Sequence, residues 1–211
     1  ERNVFCIGKN YADHIAEFDK TALPDKPKYP VIFTKATSAV IGPDDPIEPH
    51  KNVTEQVDYE GELAVVIGKE GSDIPISEAM NHVYGFTILN DVTARDLQAN
   101  HGQWFHGKSL DTFCPMGPYV LLRDAAPETF DIITKVNGEV RQDGSTGEFI
   151  FTIPELIHTI SQGTTLFPGD VIATGTPSGV GVGFNPPRFL HSGDTVEITI
   201  PAIGTLKNKV K

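Results

Sequence analysis

Few of the features that would place a chain of 211 residues in a common functional class occur in this one. Its two cysteines, Cys6 and Cys114, lie far apart and form no CxxC pair, so neither a disulfide framework nor a cysteine zinc site is indicated. They read as buried thiols of a cytoplasmic protein. No apolar run approaches the ~18 residues that would span a bilayer. Basic residues are scarce, 17 against 28 acidic ones, and the net charge of −11 argues against a nucleic-acid partner, which would need clustered Lys and Arg. There is no GxGxxG fingerprint opening a helix, no GxSxG elbow and no P-loop ending. Fixed-period repeats, low-complexity tracts and composition shifts are absent too. One domain spanning 1–211 is therefore expected. The chain opens on "ERNVFCIG" without an initiating Met, so further residues upstream are an expectation, as is the lack of a secretory signal before the first strand.

Glycine (20) and proline (16) are plentiful and punctuate short apolar runs. "NVFCIG", "VIFTKA", "ELAVVIG", "VYGFTILND", "GPYVLL", "DVIATG" and "DTVEITI" read as strands. "ELAVVIG" shows little alternation, which predicts burial on both faces. "FDIITKVNGEVRQ" carries Asn137-Gly138 between two alternating runs, a hairpin signal. "YADHIAEF" has helical spacing, with Tyr11, Ile15 and Phe18 on one side. "SEAMNHV" predicts a short helix with Ser77 as its N-cap, and "VTARDLQAN" and "TIPELIHTIS" predict two more. "DKTALPDKPKYP" predicts an exposed loop, and "GVGVGFNPPRFLHSG" a second irregular segment. Strands outnumber helices, so the fold class is mixed and β-rich: a rolled sheet or barrel-like sandwich with short helices outside.

The chemistry concentrates in "VDYEGELAVVIG". Glu60 and Glu62 are two apart on a strand and point the same way. Two carboxylates so close repel unless one keeps a proton or a cation sits between them. Asp91 ends another apolar strand, and three acids at neighbouring strand ends would suit a hard divalent ion such as Mg²⁺. His14 and Glu17, three apart on a helix, form either a general-base pair or a surface couple. Lys108, in "WFHGKSLDTFCPMGP", either clamps an anionic substrate oxygen or snorkels to solvent. Arg95 either faces the same site or pairs with Asp91 or Asp96. His106 reads as structural, and "IATGTPSGVG" as a turn whose backbone N–H groups suit an anion.

Taken in order, "GKNYADHIAE", "DYEGELAVVIG", "GFTILNDVTARDLQ", "GKSLDTFCPMGP", "KVNGEVRQ" and "GDVIATGTPSGVG" resemble the fumarylacetoacetate hydrolase family. The likeness is to its smaller acylpyruvase, oxaloacetate decarboxylase and hydroxyheptadienedioate isomerase branch, and it runs over nearly the whole chain. It implies a β-roll that forms homodimers, and Mg²⁺ or Mn²⁺ held by Glu60, Glu62 and Asp91. Larger relatives add a fourth acid; here only Asp13 lies near the equivalent place, and three ligands are assigned. The resemblance further implies a His14–Glu17 dyad on a lid over residues 10–29, with Lys108 also catalytic. Lys35, Arg95, Gln98 and Thr176 would contact the substrate or orient water. The substrate would be a small 2-oxo acid reacting through a metal-stabilised enolate. Hydrolytic C–C cleavage of an acylpyruvate or fumarylacetoacetate-like acid is the first expectation. Oxaloacetate decarboxylation and 2-hydroxyhepta-2,4-diene-1,7-dioate isomerisation are the alternatives, and a metal-binding regulatory protein of the same fold is the non-enzymatic one.

Overall fold

A computed structural model of the chain describes residues 2–18 and 27–211, Phe18 by its backbone alone. Most of the proline-rich loop expected over 19–30, and with it part of the expected lid, lies outside the described residues.

In chain order the first elements are β1 (Val4–Gly8), α1 (Ala12–Phe18), β2 (Val31–Lys35), β3 (Val40–Ile41), β4 (Val57–Asp58) and β5 (Gly61–Ile67). Then come β6 (Val83–Asn90), β7 (Thr93–Ala94), α2 (Arg95–Asn100), α3 (Phe105–Lys108) and β8 (Cys114–Leu122). The chain continues through β9 (Asp131–Val136), β10 (Glu139–Ser145), α4 (Ile153–Ser161), β11 (Val171–Ala173), β12 (Thr195–Ile200) and β13 (Gly204–Lys209). Seven strands form a mixed sheet in the order β2-β1-β11-β5-β6-β8-β3; four form an antiparallel sheet, β10-β9-β12-β13; β4 and β7 make a short pair. Among the described residues no helix is long and apolar enough to cross a membrane.

The larger sheet curls. Three strands separate β1 from β8, yet Cys6 and Cys114 share one small buried cluster with Ala39, Ala64 and Leu89. Both cysteines are free and buried, as the sequence suggests. Small side chains fill the inside of the curl because the curvature leaves little room there. The other face of β5 (Leu63, Val65, Ile67) joins the main core with Ile132, Val196 and Ile198 of the second sheet. This double burial is why β5 shows no alternation, whereas β12, covered on one face, alternates strictly. The β9–β10 hairpin turns on Asn137 and Gly138, whose φ values of 52° and 81° are the two positive angles a tight turn of this hand requires. On α4, Leu156, Ile157 and Ile160 face inward, and the Glu155 carboxylate accepts from the Thr152 N–H at its start (2.7 Å).

Two helices differ from expectation. Residues 76–82 form a 3₁₀ stretch in which Glu78 N–H donates to Pro75 O (2.9 Å), so the boundary is set by Pro75 and Ser77 caps nothing. In "VTARDLQAN", Thr93 and Ala94 pair as a strand with β4, and the helix begins only at Arg95. That pairing sets Asp58 opposite Thr93, two residues before Arg95.

Gly61, between the two glutamates, is where the sheets touch. A Cβ there would lie 2.1 Å from Thr134 Oγ1 and 3.2 Å from Ile198 Cγ2. Gly61→Ala is expected to cost about 1–3 kcal/mol through overpacking. Urea denaturation checks this: the midpoint should fall with the slope unchanged.

Candidate metal centre and active site

Two strand ends build the centre. β5 and β6 pair antiparallel with Gly61 opposite Asn90, which places Glu60 and Glu62 beside Asp91. Asp91 N–H donates to Glu60 O (2.9 Å), and Asn90 Oδ1 accepts from Glu60 N–H (3.1 Å). One carboxylate oxygen from each of Glu60, Glu62 and Asp91 lies within 4.8 Å of the others, and all three residues are buried. Among the described residues this is the one group of three or more acidic, His or Cys side chains so arranged. Asp13 is exposed on the first turn of α1 and takes no part.

Cations converge on the cluster from three other elements. Lys108 donates to Glu60 Oε2 and Asp91 Oδ2, both at 2.8 Å. Lys35 donates to Asp91 Oδ1 and to Val92 O. Arg95 Nη1 lies 2.7 Å from Glu60 Oε1, and its Nε donates to Asp58 Oδ2 at 2.8 Å. Arg95 thus turns to Asp58 and Glu60 rather than to Asp91 or Asp96. Burial alone would raise the Glu60 carboxyl, but the charges of Lys108, Arg95 and His14 hold it at about 2. Lys108 and Arg95 shift the opposite way: burial works against their charge, and the acids around them more than offset it.

Glu62 differs. Among the described residues its carboxylate accepts one hydrogen bond, from Gly175 N–H (2.8 Å). Burial first, and the charges of Asp91 and Glu60 next, push its carboxyl well above the ordinary range. The two ammonium groups pair with Glu60 and Asp91, and Arg95 is shared between Glu60 and Asp58; with Glu62 that sets four carboxylates against three cations. An all-oxygen donor set with one negative charge in excess fits a hard divalent cation.

His14 and Glu17 meet on α1: His14 Nδ1 is 2.8 Å from Glu17 Oε2. With the Glu17 carboxylate as acceptor, Nδ1 is the donor of this contact, which assigns the hydrogen to Nδ1. The other Glu17 oxygen accepts from Gly179 N–H at 2.6 Å. A cavity of about 730 Å³ lies between this pair and the carboxylates. Its polar side carries His14, Glu60, Arg95, Gln98, Lys108 and Thr176; its apolar side includes Ile7, Ile15, Phe33 and Trp104. Lys35, Glu17, Glu62 and Asp91 stand behind that lining. Gln98 accepts from Arg95 (3.2 Å), and the Thr176 hydroxyl donates to Gly61 O (2.9 Å).

Sequence reasoning passed over Asp58 and Gln142. Asp58, fully buried, accepts from Arg95 and from the N–H groups of Tyr59, Gly181 and Val182. Its signal was present: it stands two residues before Glu60 in the same alternation. Gln142 accepts from Gly61 N–H and donates to Thr176 and Pro177, tying the second sheet to the site. The glycine-rich turn does bind anions through its backbone, but the anions are the protein's own Glu62, Glu17 and Asp58. His106 is exposed, edge-on to His101 with ring centroids 4.9 Å apart.

Residues 3–211 match the family model described as fumarylacetoacetate (FAA) hydrolase, C-terminal. The chain belongs to the fumarylacetoacetate hydrolase family. It is 56% identical over 211 residues to an oxaloacetate tautomerase, YisK, of Bacillus subtilis, covering 99% of this chain and 69% of the relative. Among solved structures, a fumarylacetoacetate hydrolase from Exiguobacterium antarcticum is 52% identical with a TM-score of 0.91, over 100% of this chain and 75% of that one. A 2-hydroxyhepta-2,4-diene-1,7-dioate isomerase from Mycobacterium marinum is 42% identical with a TM-score of 0.85, over 99% and 73%. These likenesses bear out the β-rich roll and the family resemblance.

The two glutamates make opposite contributions to stability. Glu60, held at about 2, stabilises the fold above the ordinary carboxylate value of about 4.3, and that stability is lost as pH falls through its depressed value. Glu62, raised, favours the fold while protonated, and its contribution is lost as pH rises through its elevated value. A cation on Glu62 cancels that loss. Mg²⁺ is therefore expected to raise the melting temperature more at pH 8 than at pH 5, measured by calorimetry; equal shifts at both would remove Glu62 as a ligand.

Proposed function

We propose that the protein is a divalent-cation-dependent enzyme that moves a proton on a small 2-oxo dicarboxylic acid, interconverting the keto and enol forms of oxaloacetate. The observation that carries this reading is that His14, paired with Glu17, lines one cavity together with Lys108 and Arg95. Identity to the oxaloacetate tautomerase over almost the whole chain supports it, and the diene-dioate isomerase among the similar structures is likewise named for a shift within one molecule.

Glu60, Glu62 and Asp91 would hold Mg²⁺ or Mn²⁺, which would supply a Lewis acid to the oxygens of the 2-oxo acid. His14 Nε2 takes the proton from the carbon next to the ketone. The C–H electron pair becomes the C=C bond, and the carbonyl pair moves onto oxygen. Lys108 and Arg95 put positive charge where that oxygen becomes negative. His14 then returns the proton to oxygen, and Glu17 stabilises the imidazolium in between. Gln98 and Thr176 line the bound acid. Lys35 fixes the Asp91 carboxylate from behind.

One observation favours a second reading, hydrolytic C–C cleavage of an acylpyruvate. The cavity exceeds the needs of a four-carbon acid, and Ile7, Ile15, Phe33 and Trp104 give it an apolar side for an acyl chain. The same base would then deprotonate water. Assays of enol–keto conversion and decarboxylation of oxaloacetate, beside hydrolysis of acetylpyruvate, separate these readings. In each reading His14→Ala should lower turnover by about 10²–10⁴-fold, the worth of a positioned general base, with the Mg²⁺-induced rise in melting temperature retained. Undiminished turnover would remove His14 as the proton carrier.

A further inference from the structure

Glu17 sits in a notch made by one loop. After β11 the chain runs through residues 174–184 with its N–H groups turned toward acids. Gly179 N–H donates to Glu17 Oε1, and the Tyr59 hydroxyl holds Gly179 O from the other side (2.9 Å). Gly181 and Val182 donate to Asp58 at 2.7 and 3.0 Å, which fixes the loop to the carboxylate that also orients Arg95.

Gly183 closes this notch, and it differs in kind from its neighbours. A Cβ at Gly179 would meet Arg141 O at 1.9 Å, on a backbone whose φ of +103° already disfavours a side chain. A Cβ at Gly181 would meet Arg188 O at 2.5 Å. Both obstacles are backbone, so those glycines are needed for the loop to fold. At Gly183 φ is not in the left-handed region, and the three nearest atoms all belong to Glu17: Oε1 at 2.4 Å, Cδ at 2.8 Å and Cγ at 3.2 Å. Glu17 is long and flexible. A methyl group at 183 would push it aside at little cost to the fold, and would take it from both Gly179 N–H and His14 Nδ1.

We propose that Gly183 is a positioning residue: its missing side chain leaves the seat for the Glu17 carboxylate, and that seat sets the Nδ1–H tautomer and orientation of His14. The proposal rests on the proton-carrying role of His14 for its consequence in turnover, but not for its geometry. The chemistry needs Nε2 unprotonated in the resting enzyme. Glu17 secures this only while it is held on both oxygens, so the loop selects the working tautomer of a residue on another element.

The experiment compares Gly183→Ala, Glu17→Gln and the double variant in the full chain. The ¹⁵N spectrum of the His14 ring should lose its Nδ1–H signature in Gly183→Ala as it does in Glu17→Gln, while Mg²⁺ affinity and the denaturation midpoint stay at wild-type values. Turnover should fall by the same factor in both, roughly 10–100-fold, the usual effect of losing a group that orients a functional histidine. The double variant should be no slower than either. A wild-type His14 spectrum in Gly183→Ala, or losses that multiply in the double variant, would overturn the proposal. If His14→Ala keeps full turnover, the functional reading fails and the ring spectrum still judges the seat. Should Gly183→Ala fold poorly, the same change is made with Glu17→Ala, which empties the notch. It should then be tolerated, and equal destabilisation in both backgrounds would overturn the proposal.

Discussion

Three carboxylates brought under cover at the ends of two adjacent strands are the constraint on which the rest of this molecule depends. A buried charge left alone costs several kcal/mol, so every oxygen position calls for a donor. Lys108 answers for Glu60 and Asp91, Lys35 for Asp91, Arg95 for Glu60, and a single peptide N–H for Glu62. Those donors come from β2, α2, α3 and the turn after β11, so the cluster assembles only when distant parts of the chain are in place. Its electrostatics also explain why the two glutamates are not equivalent. Glu60 is tied down by protein cations, whereas Glu62 carries the charge that the protein itself leaves uncompensated.

The glycine-rich segment after β11 extends the same principle with neutral donors. A run of peptide N–H groups is a familiar receptor for phosphate. Here the acceptors are Glu62, Glu17 and Asp58, so the strip stitches the carboxylate cluster to α1 and its His14. Asp58 stands at the junction, accepting from Arg95 on one side and from Gly181 and Val182 on the other. Displacement of the strip would reach the ring of His14 and the guanidinium of Arg95 together.

Local rules went far in this sequence. The spacing of Glu60 and Glu62, the acid closing "ILND", and Asn137-Gly138 at a hairpin are period-two and turn signals that need no tertiary knowledge. Partners at long range were not legible. Arg95 lies four residues after Asp91, and helical reasoning pairs them. Yet Asp91 precedes the helix, Thr93 and Ala94 are strand, and the pairing of that strand with β4 delivers Asp58 instead. Lys35 is 56 residues from Asp91, and nothing in "VIFTKA" announces the connection. A rolled sheet was expected, but which strands it brings together was hidden, because Cys6 and Cys114 carry no pattern and meet only when three intervening strands bend.

The division of labour between sheet and helix bears on how one family accommodates tautomerases, isomerases and hydrolases. The acids and their lysines are fixed by strand ends and short helices packed on them. His14 rides on α1, a seven-residue helix whose Glu17 is seated by a loop. On the proposed reading, that histidine takes a proton from whatever lies within reach, carbon in one case and water in another. What lies within reach is set by the apolar side, where the Trp104 indole lies so close over Gly8 that a Cβ there would be 2.4 Å from it, and where Trp104 also meets Phe33 edge-on with centroids 5.3 Å apart. That wall is tied to the acid cluster: Phe33 shares β2 with Lys35, its ring centroid lies 5.2 Å from the Lys108 ammonium, and Lys108 N–H donates to Trp104 O (3.1 Å). On the proposed reading, a change in the wall that alters which oxo acid is accepted also reaches the cations that would face the developing oxyanion.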